Sequence, residues 1–396
     1  MLLARHFLRG IRHWLKQLPI TRLLRNRFNK SVFHCLYYVR RIVGYVTFPV
    51  LGARAPLRGF YERTKDYLKN GEGLYIELEI SSNNPQPVHP GQSRSDIFIA
   101  IIPKGRTIYS SGAVVSPDHK LLVDVSWEDF ALGSSRYLSH PIMRQMLFPK
   151  EQHIKGSAAV ITSYMPDNYY HWLFDILPRF DILHRSNIVP DYYLVNTDLA
   201  FQQESLNLLK IPSNKILSPT THTNFEFDKL IIPSLPGPVL DTAPHPQEFS
   251  RNFLLSTFLE IVTTVTPYRS LYITRADAPS RRVINEAEVR QLALNYEFEI
   301  ISLSGVPIHK QIELFSEAKI VVGAHGAGLS NAVFCQPGSI MIEFMPESRS
   351  VDCFKRLAQI IGMEYHSIIG RENNETNLSN DHAIDIAELS EILSRF

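Results

Sequence analysis

Cysteine is scarce in this sequence, and long apolar runs are missing. Three cysteines occur among 396 residues, Cys35, Cys335 and Cys353, and none has CxxC spacing. So small and odd a number argues against a disulfide-stapled secreted fold, favours a reducing compartment and gives no support for a zinc site. No stretch reaches the ~20 apolar residues of a membrane-spanning helix, and no apolar core of a cleavable signal peptide follows the first charges.

An Asp-x-Asp motif is also absent. Its absence argues against a divalent metal that holds phosphates, so we expect neither a metal site nor a cofactor. Internal repeats and low-complexity segments are missing too. The hydrophobic fraction of 44% and the charged fraction of 20% are those of a soluble globular protein. A chain of this length suggests two domains at roughly 150 residues each.

The basic residues are concentrated near the N-terminus. Residues 1–65 carry 14 Lys or Arg and one acidic residue, whereas the whole chain has a net charge of only +2. Phe7, Ile11 and Trp14 fall at helical spacing beside these charges, which is typical of a basic amphipathic helix on a membrane surface. We expect residues 1–60 to bind an anionic membrane, at the cytoplasmic face of the plasma membrane. The alternatives are a solvated tail and a contact between two copies of the chain, and binding to nucleic acid is not expected. The membrane prediction would be contradicted if the protein partitioned equally into liposomes with and without these residues.

Beyond this arm, taken as residues 1–70, the pattern of the chain changes twice. Short strand-like runs occur at 74–80, 97–102, 107–115 and 120–125. From residue 156 strands alternate with helices, including predicted helices at 169–185 and 201–209 and later strands at 271–274, 299–302, 320–322 and 339–344. Such alternation predicts parallel, doubly wound sheets. A proline-rich stretch at 234–246 predicts a linker, so we expect α/β domains at 71–236 and 247–396.

A glycine-rich segment follows the strand predicted at 320–322. Its sequence is GAHGAG over residues 323–328, and a helix is predicted to begin there. Glycines at a strand-to-helix turn let the backbone approach a ligand closely, and the N–H groups of the helix favour a phosphate. The spacing is not that of a dinucleotide fingerprint, and a tight turn without a ligand is the alternative. His325 either donates to a phosphate or fills the turn.

Charged residues follow or interrupt the neighbouring strands. Arg275, Arg281 and Arg282 come after the strand at 271–274, and three guanidinium groups would suit a diphosphate. A solvated basic loop is the alternative. Glu343 stands in an otherwise apolar strand, where a carboxylate needs a partner, and a ribose diol or a neighbouring Arg would supply one. Asn285 and Glu288 are spaced as an N-cap and its capping-box partner.

A second pair of polar residues follows the strand near residue 160. His171 and Asp175 are four residues apart, so they share one face of the helix predicted at 169–185. At the end of a strand, such a pair could take a proton from an acceptor hydroxyl. A buried His–Asp pair that only orients the helix is the alternative.

Together these segments resemble the family 61 glycosyltransferases, which include bacterial capsular polysaccharide biosynthesis proteins. The resemblance is carried by NYYHWLFDILPR at 168–179, by YITR at 272–275 with RR at 281–282 and NE at 285–286, and by VVGAHGAGLSN at 321–331 with Phe334, PG at 337–338 and IE at 342–343. It covers roughly residues 157–361, and the first 70 residues are not part of it.

The resemblance implies a GT-B-like architecture, in which two Rossmann-like domains face each other across the active site. It also implies an inverting, metal-independent transfer from a UDP-sugar. The donor-binding residues would be Arg275, Arg281, Arg282, His325, Gly326, Ala327, Gly328 and Glu343, with Glu343 on the ribose. The catalytic residues would be Asp175 as the base and His171 as its assistant, although the reverse order is also open.

We therefore expect a glycosyltransferase that moves a sugar from a nucleotide-sugar to a hydroxyl of a surface-polysaccharide or lipid-linked glycan. Two alternatives belong to other classes. One is a non-catalytic, transferase-like scaffold of a polysaccharide assembly complex. The other is a sugar-nucleotide-modifying enzyme such as an epimerase, which fold analogy alone does not separate from a transferase.

Overall fold

A computed structural model describes residues 57–78, 97–126, 140–145, 148–237, 244–348, 351–372 and 379–396. The basic amphipathic segment expected near the N-terminus lies outside these residues. Within the described part of the chain, no helix is both long and apolar enough to cross a membrane.

Among the described residues, the first sheet has ten strands in a mixed arrangement. Its strands are β1 (Gly59–Tyr61), β2 (Leu74–Glu77), β3 (Phe98–Pro103), β4 (Arg106–Ile108), β5 (Ala113–Val115), β6 (Lys120–Leu122), β7 (Gln152–Val160), β8 (Tyr192–Leu194), β9 (Ile216–Leu217) and β10 (Asn224–Pro233). Their order is β1-β6-β5-β4-β10-β7-β8-β9, with β3 also paired to β10 and β2 to β3. β10, β7, β8 and β9 form a parallel array, and β1 is parallel to β6, whereas β3 and β4 run antiparallel to β10.

Three details of this sheet differ from the sequence prediction. The run at 107–115 forms two strands, since the turn at Tyr109, where φ is +66°, and Gly112, where φ is +60°, reverses the chain. The run at 120–125 ends in a 3-10 turn, Val123–Val125. The arm prediction of 1–70 is too long, because β1 pairs with β6 and the helix α1 (Thr64–Leu68) packs beside it.

Helices of this unit cover the parallel strands. They are α2 (Tyr169–His171), the π-helical turn Trp172–Ile176, α3 (Arg179–Arg185) and α4 (Ala200–Leu208). The helix predicted at 169–185 is therefore present but interrupted.

In the part of the chain that the structure describes, the second sheet has six strands, and its first five are parallel. Its strands are β11 (Arg269–Ile273), β12 (Glu299–Ile301), β13 (Ala318–Ala324), β14 (Ile340–Pro346), β15 (Glu364–Glu372) and β16 (His382–Ala383). Their order is β12-β11-β13-β14-β15-β16, and β16 is antiparallel to β15. Nearly every residue of β13 and β14 is buried, which is why both strands are almost continuously apolar.

The helices of the second unit are amphipathic and flank this sheet. They are α5 (Pro244–Thr257), α6 (Glu286–Asn295), α7 (Ile308–Ser316), α8 (Cys353–Ile361) and α9 (Ile386–Leu393). In α8 the buried residues Phe354, Leu357, Ala358 and Ile361 recur at helical spacing. Gly362 ends this helix in the left-handed conformation, with φ at +82°, that favours glycine at this position.

The predicted proline-rich linker is only partly a linker. Its second half, Pro244 and Pro246, begins α5, because the first turn of a helix tolerates residues that lack an N–H. Residues 238–243 lie outside the described residues. The predicted domain start at 247 therefore falls inside a helix.

The two units share one hydrophobic core. Trp172 and Phe174 from the first unit belong to the same buried cluster as Phe334 and Phe354 from the second. Polar contacts accompany this cluster: the N–H of Ile308, at the start of α7, donates to the Glu204 carboxylate of α4 over 2.6 Å. The carboxylate compensates a helix N-terminus that has no side-chain cap of its own.

The helix α5 lies between the two units and bonds to both. Its Ser250 hydroxyl donates to the Phe174 carbonyl over 2.9 Å. The Gln247 side-chain amide donates to the Tyr170 hydroxyl over 3.0 Å and to the Cys353 carbonyl over 3.2 Å. These contacts fix the end of the first unit's π-helical turn against α8 of the second.

Candidate functional site

The strand order of the second sheet marks one position where a ligand is expected. The chain leaves β11 to form β12 on one side and returns to form β13 on the other. In open parallel sheets, ligands bind outside the carboxyl ends of the strands where the order reverses in this way. Arg275 follows the end of β11, and His325 and Gly326 follow the end of β13.

The structure brings Arg275 against the glycine turn. A Cβ added to Gly326 would clash with the Arg275 guanidinium, whereas the φ of Gly326, 173°, is an extended angle that any residue adopts. Gly326 therefore leaves the space that the Arg275 guanidinium occupies, and a larger residue here would displace that side chain. Gly323 and Gly328 serve packing in the same way, since a Cβ there would lie 3.2 Å from the Ile273 carbonyl oxygen and 3.1 Å from the Leu303 side chain, respectively.

The charge and the N–H groups of the Arg275 guanidinium have few partners among the described residues. One Nη donates to the Ser280 carbonyl over 3.0 Å, and the buried Nε has no hydrogen-bond partner among the described residues. Burial lowers the pKa of Arg275, while the charges of Asp277 and Asp381 act in the opposite direction. A half-buried cation without a carboxylate in ion-pair contact is suited to an incoming anion such as a phosphate.

The other two predicted arginines contact the segment before β16. Arg282 donates through Nε and Nη to Asp381 over 3.0 and 2.8 Å, so its charge already has a partner. The backbone N–H of Arg281 donates to the Ser379 carbonyl over 2.8 Å. The loop that carries both is bonded to the segment before β16, a contact that could not be predicted from local sequence patterns.

Asn285 is the N-cap residue of α6, as predicted, but the predicted capping contact of its side chain is wrong. Asn285 makes no side-chain cap for α6; its amide donates to the Ile384 carbonyl over 2.9 Å, and its carbonyl oxygen accepts from the Ile384 N–H over 2.8 Å. These two bonds satisfy the backbone next to β16, and this tertiary contact outweighs the local capping preference.

The helix predicted after the glycine turn is a 3-10 helix, Ala327–Phe334. This geometry brings Asn331 beneath the turn, where its amide donates to the Gly328 carbonyl over 3.2 Å. The Ser330 side chain is fully buried, and its hydroxyl has no hydrogen-bond partner among the described residues.

Glu343 has partners other than the two predicted ones. Its side chain is 0% exposed; one oxygen accepts from His325 Nδ1 over 2.5 Å and the other from the Tyr365 hydroxyl over 2.6 Å. Among the described residues, no arginine contacts this carboxylate, and its side chain has no exposed surface for a ribose. His325 also packs against the Phe354 ring, with centroids 5.2 Å apart. Tyr365 was missed because only the pairing of β14 with β15 brings it to Glu343.

His171 and Asp175 form the predicted pair. His171 Nδ1 donates to Asp175 Oδ2 over 2.7 Å, and each residue is 7% exposed. The Asn168 side chain caps the start of α2 by accepting from the Tyr170 N–H over 3.0 Å. Asp175 itself lies in the π-helical turn, an irregularity frequently found at functional sites.

Arg179 anchors the helix that carries this pair. It is fully buried and donates to the Pro233 carbonyl at the end of β10 and to the Thr162 carbonyl beyond the end of β7. Burial lowers the pKa of Arg179 to about 9, and the charge of Asp175 opposes that shift. Arg179 therefore holds Asp175 close to the carboxyl ends of the parallel strands.

The two groups of predicted residues meet where the units contact each other. The Tyr169 hydroxyl donates to Asn331 Oδ1 over 2.7 Å, which joins α2 to the 3-10 helix after the glycine turn. The Phe354 ring contacts Tyr170, with centroids 6.0 Å apart, and also contacts His325. The structure thus brings the motif that carries His171 next to the motif that carries His325. In the described residues, no cluster of three side chains has the composition of a metal site.

Comparison with known proteins indicates which class of enzyme has these motifs. Residues 169–342 match the family model Glycosyltransferase 61, which spans both groups of predicted site residues and ends one residue before Glu343. These comparisons support a glycosyltransferase.

Several animal transferases are similar over part of this chain. The protein O-linked-mannose beta-1,4-N-acetylglucosaminyltransferase 2 of Takifugu rubripes is 31% identical over 105 residues, 25% of this chain and 18% of the relative. The corresponding protein of Canis lupus familiaris is 32% identical over 99 residues, 23% and 17% respectively. The EGF domain-specific O-linked N-acetylglucosamine transferase of Drosophila melanogaster is 26% identical over 156 residues, 36% and 30% respectively.

The chain therefore spans less than a third of the length of these relatives. They are animal enzymes named for transfer of N-acetylglucosamine, so they lend no support to the bacterial capsular type that the sequence suggested.

Proposed function

We propose that this protein is an inverting, metal-independent glycosyltransferase that moves a sugar from a nucleotide-sugar, with UDP as the expected nucleotide, to a hydroxyl of a glycan or glycoconjugate. The carrying observation is the poorly compensated Arg275 guanidinium against Gly326, at the point where the strand order of the second sheet reverses. The relatives are named as N-acetylglucosaminyltransferases, which makes a UDP-linked amino sugar the first donor to test. In this proposal the two units are the two halves of a GT-B-like architecture.

The donor half acts on the leaving group. As the bond between the sugar C1 and the phosphate oxygen breaks, negative charge develops on the departing diphosphate. Arg275 and the N–H groups of the turn at residues 326–328 stabilise that charge, which is the electrostatic part of catalysis.

The acceptor half supplies the base. Because His171 donates Nδ1–H to Asp175, its Nε2 lies on the opposite side of the ring and is the nitrogen that can take a proton. The acceptor oxygen attacks C1, its proton passes to His171 Nε2, and Asp175 stabilises the resulting imidazolium. This assignment reverses the order favoured from the sequence, in which Asp175 was the base.

The donor step is tested with free nucleotides. We expect millimolar UDP to raise the melting temperature in differential scanning, and GDP and CMP to raise it less, because ligands stabilise the state that they bind. The nucleotide assignment fails if none of the three raises it.

The base is tested by variants of the first unit. Asp175→Asn and His171→Ala should each lower transfer by roughly 10²–10⁴-fold while UDP still binds. Added imidazole should restore part of the activity of His171→Ala and none of that of Asp175→Asn. The matched control His184→Ala removes an exposed histidine of α3 and should transfer normally. Full transfer by His171→Ala would remove His171 from the mechanism.

A further inference from the structure

Tyr365 and His325 bond to different carboxylate oxygens of Glu343. It lies in β15, and its hydroxyl donates to Glu343 Oε2 over 2.6 Å. Burial and the neighbouring Glu343 charge raise the pKa of Tyr365, so its hydroxyl keeps its proton and acts as a donor. The carboxylate is thereby fixed at both oxygens.

Glu343 in turn fixes the imidazole of His325. The carboxylate accepts from Nδ1, so Nδ1 carries the proton and Nε2 lies on the opposite side of the ring. The Phe354 ring restrains the plane of the imidazole, and the backbone N–H of His325 donates to the Phe344 carbonyl over 2.9 Å. A tyrosine, a carboxylate and an imidazole thus form one chain of hydrogen bonds that reaches the turn at Gly326, with the carboxylate and the imidazole buried.

We propose that Tyr365 is a positioning residue which, through Glu343, sets the orientation of His325 toward the departing diphosphate. This inference rests on the proposed function, because it assumes that a nucleoside diphosphate leaves from the glycine turn. In this proposal Glu343 acts on the donor site only through His325 and does not contact the ribose. The same logic holds in metal sites, where a carboxylate behind a histidine fixes its tautomer and ring orientation.

The variant Tyr365→Phe removes only the hydroxyl, and the matched control is Tyr268→Phe. The Tyr268 hydroxyl also donates to a carboxylate, Glu317 Oε2 over 3.0 Å, but at the opposite end of the same sheet, before β11 and β13. Proton NMR of histidine-labelled protein should show a strongly deshielded Nδ1 proton for His325. We expect this signal to move in Tyr365→Phe and to stay in place in Tyr268→Phe.

Calorimetric titration with UDP and steady-state kinetics provide the functional readout. Tyr365→Phe should bind UDP roughly 10- to 100-fold more weakly at unchanged stoichiometry and lower kcat by a similar factor, with the KM for the acceptor unchanged, since loss of the partner behind a positioned histidine costs about this much in metal sites. A merely structural role would lower the stoichiometry and leave the affinity of the folded fraction unchanged, and that result would overturn the proposal. If Tyr365→Phe does not fold, Glu343→Gln must show the same loss of UDP affinity.

Failure of the inference and failure of the proposed function give different results. Suppose that the wild-type protein binds UDP, that Tyr365→Phe binds it with equal affinity and that the His325 signal does not move. These results would overturn only the role of Tyr365 and leave the donor site standing. Wild-type protein that binds no nucleotide overturns the donor site and this inference with it, even if the deshielded proton is present.

Discussion

At the scale of single residues, Gly326 matters because Arg275 occupies the space where a side chain would be. The change Gly326→Ala should push the guanidinium away from the turn without straining the backbone. Because hydrogen bonds to charged groups contribute about 1.5–3 kcal/mol, UDP binding should weaken roughly tenfold to hundredfold. Isothermal titration with UDP measures the change, and the melting temperature of the free protein shows whether the fold is intact.

The double variant of these two residues checks that they act together. Arg275→Lys keeps the charge but loses the planar fork that binds phosphate at two points, so it should weaken UDP binding alone. If Gly326→Ala acts by displacing Arg275, then the two changes combined should cost clearly less than the sum of the single costs. Additive costs would mean that Gly326 affects the ligand by another route.

At the scale of elements, Asp124 shows how a short helix is attached to the first sheet. Its two oxygens accept from the N–H and the hydroxyl of Thr64, both over 2.7 Å, at the start of α1. Burial raises the pKa of Asp124 to about 6 from the usual 3.8, although the bonds from Thr64 oppose the shift. The native state therefore holds a proton here more tightly than the unfolded state does.

The pH dependence of stability follows from that direction. A raised native pKa contributes stability at low pH, and this contribution is lost as the pH rises through about 6. Relative to Asp124→Asn, the free energy of unfolding of the wild-type protein should fall by on the order of 1–2 kcal/mol between pH 4 and pH 7. Partial exposure of the side chain makes this change smaller than the full pKa shift would give. Denaturant unfolding at both pH values measures it, and a constant difference between the two proteins would contradict the assignment.

Local patterns were enough to predict many elements but not their exact ends. The apolar runs around β11, β13 and β14 predicted strands because these strands are buried on both faces. The pattern did not distinguish an α-helix from the 3-10 helix at Ala327–Phe334, since both present apolar residues at similar spacing. Tertiary contacts decide such cases. The Asn285 side chain, for example, bonds to the backbone of Ile384 and does not make its predicted cap.

At the scale of the whole molecule, the pairings that define the site join residues far apart in the chain. His171 with Asp175 was predictable because helical spacing fixes their separation. The contacts of Arg282 with Asp381 and of Tyr365 with Glu343 depend on which strands and loops become neighbours. Sequence periodicity contains no such information, so the identity of the site residues was easier to predict than their partners.

The shared core and the bonds between the units predict that the molecule unfolds as one body. Tyr169 bonds to Asn331 and Glu204 bonds to Ile308 across the boundary, and one buried hydrophobic cluster runs through both units. We therefore expect a single calorimetric transition, and UDP bound in the second unit should shift all of it to higher temperature. Hydrogen exchange should show added protection in β7 and β10 of the first unit as well.

Asn331 offers the variant that tests this coupling. Asn331→Ala leaves the Tyr169 hydroxyl and the Gln311 side chain without the partner that they share, and each unsatisfied group costs about 1–3 kcal/mol. The transition should move down by several degrees, and the stabilisation by UDP should reach β7 and β10 less effectively. Two wild-type transitions, of which UDP moves only one, would show that the two units unfold independently and that their contact does not couple the acceptor half to the donor half.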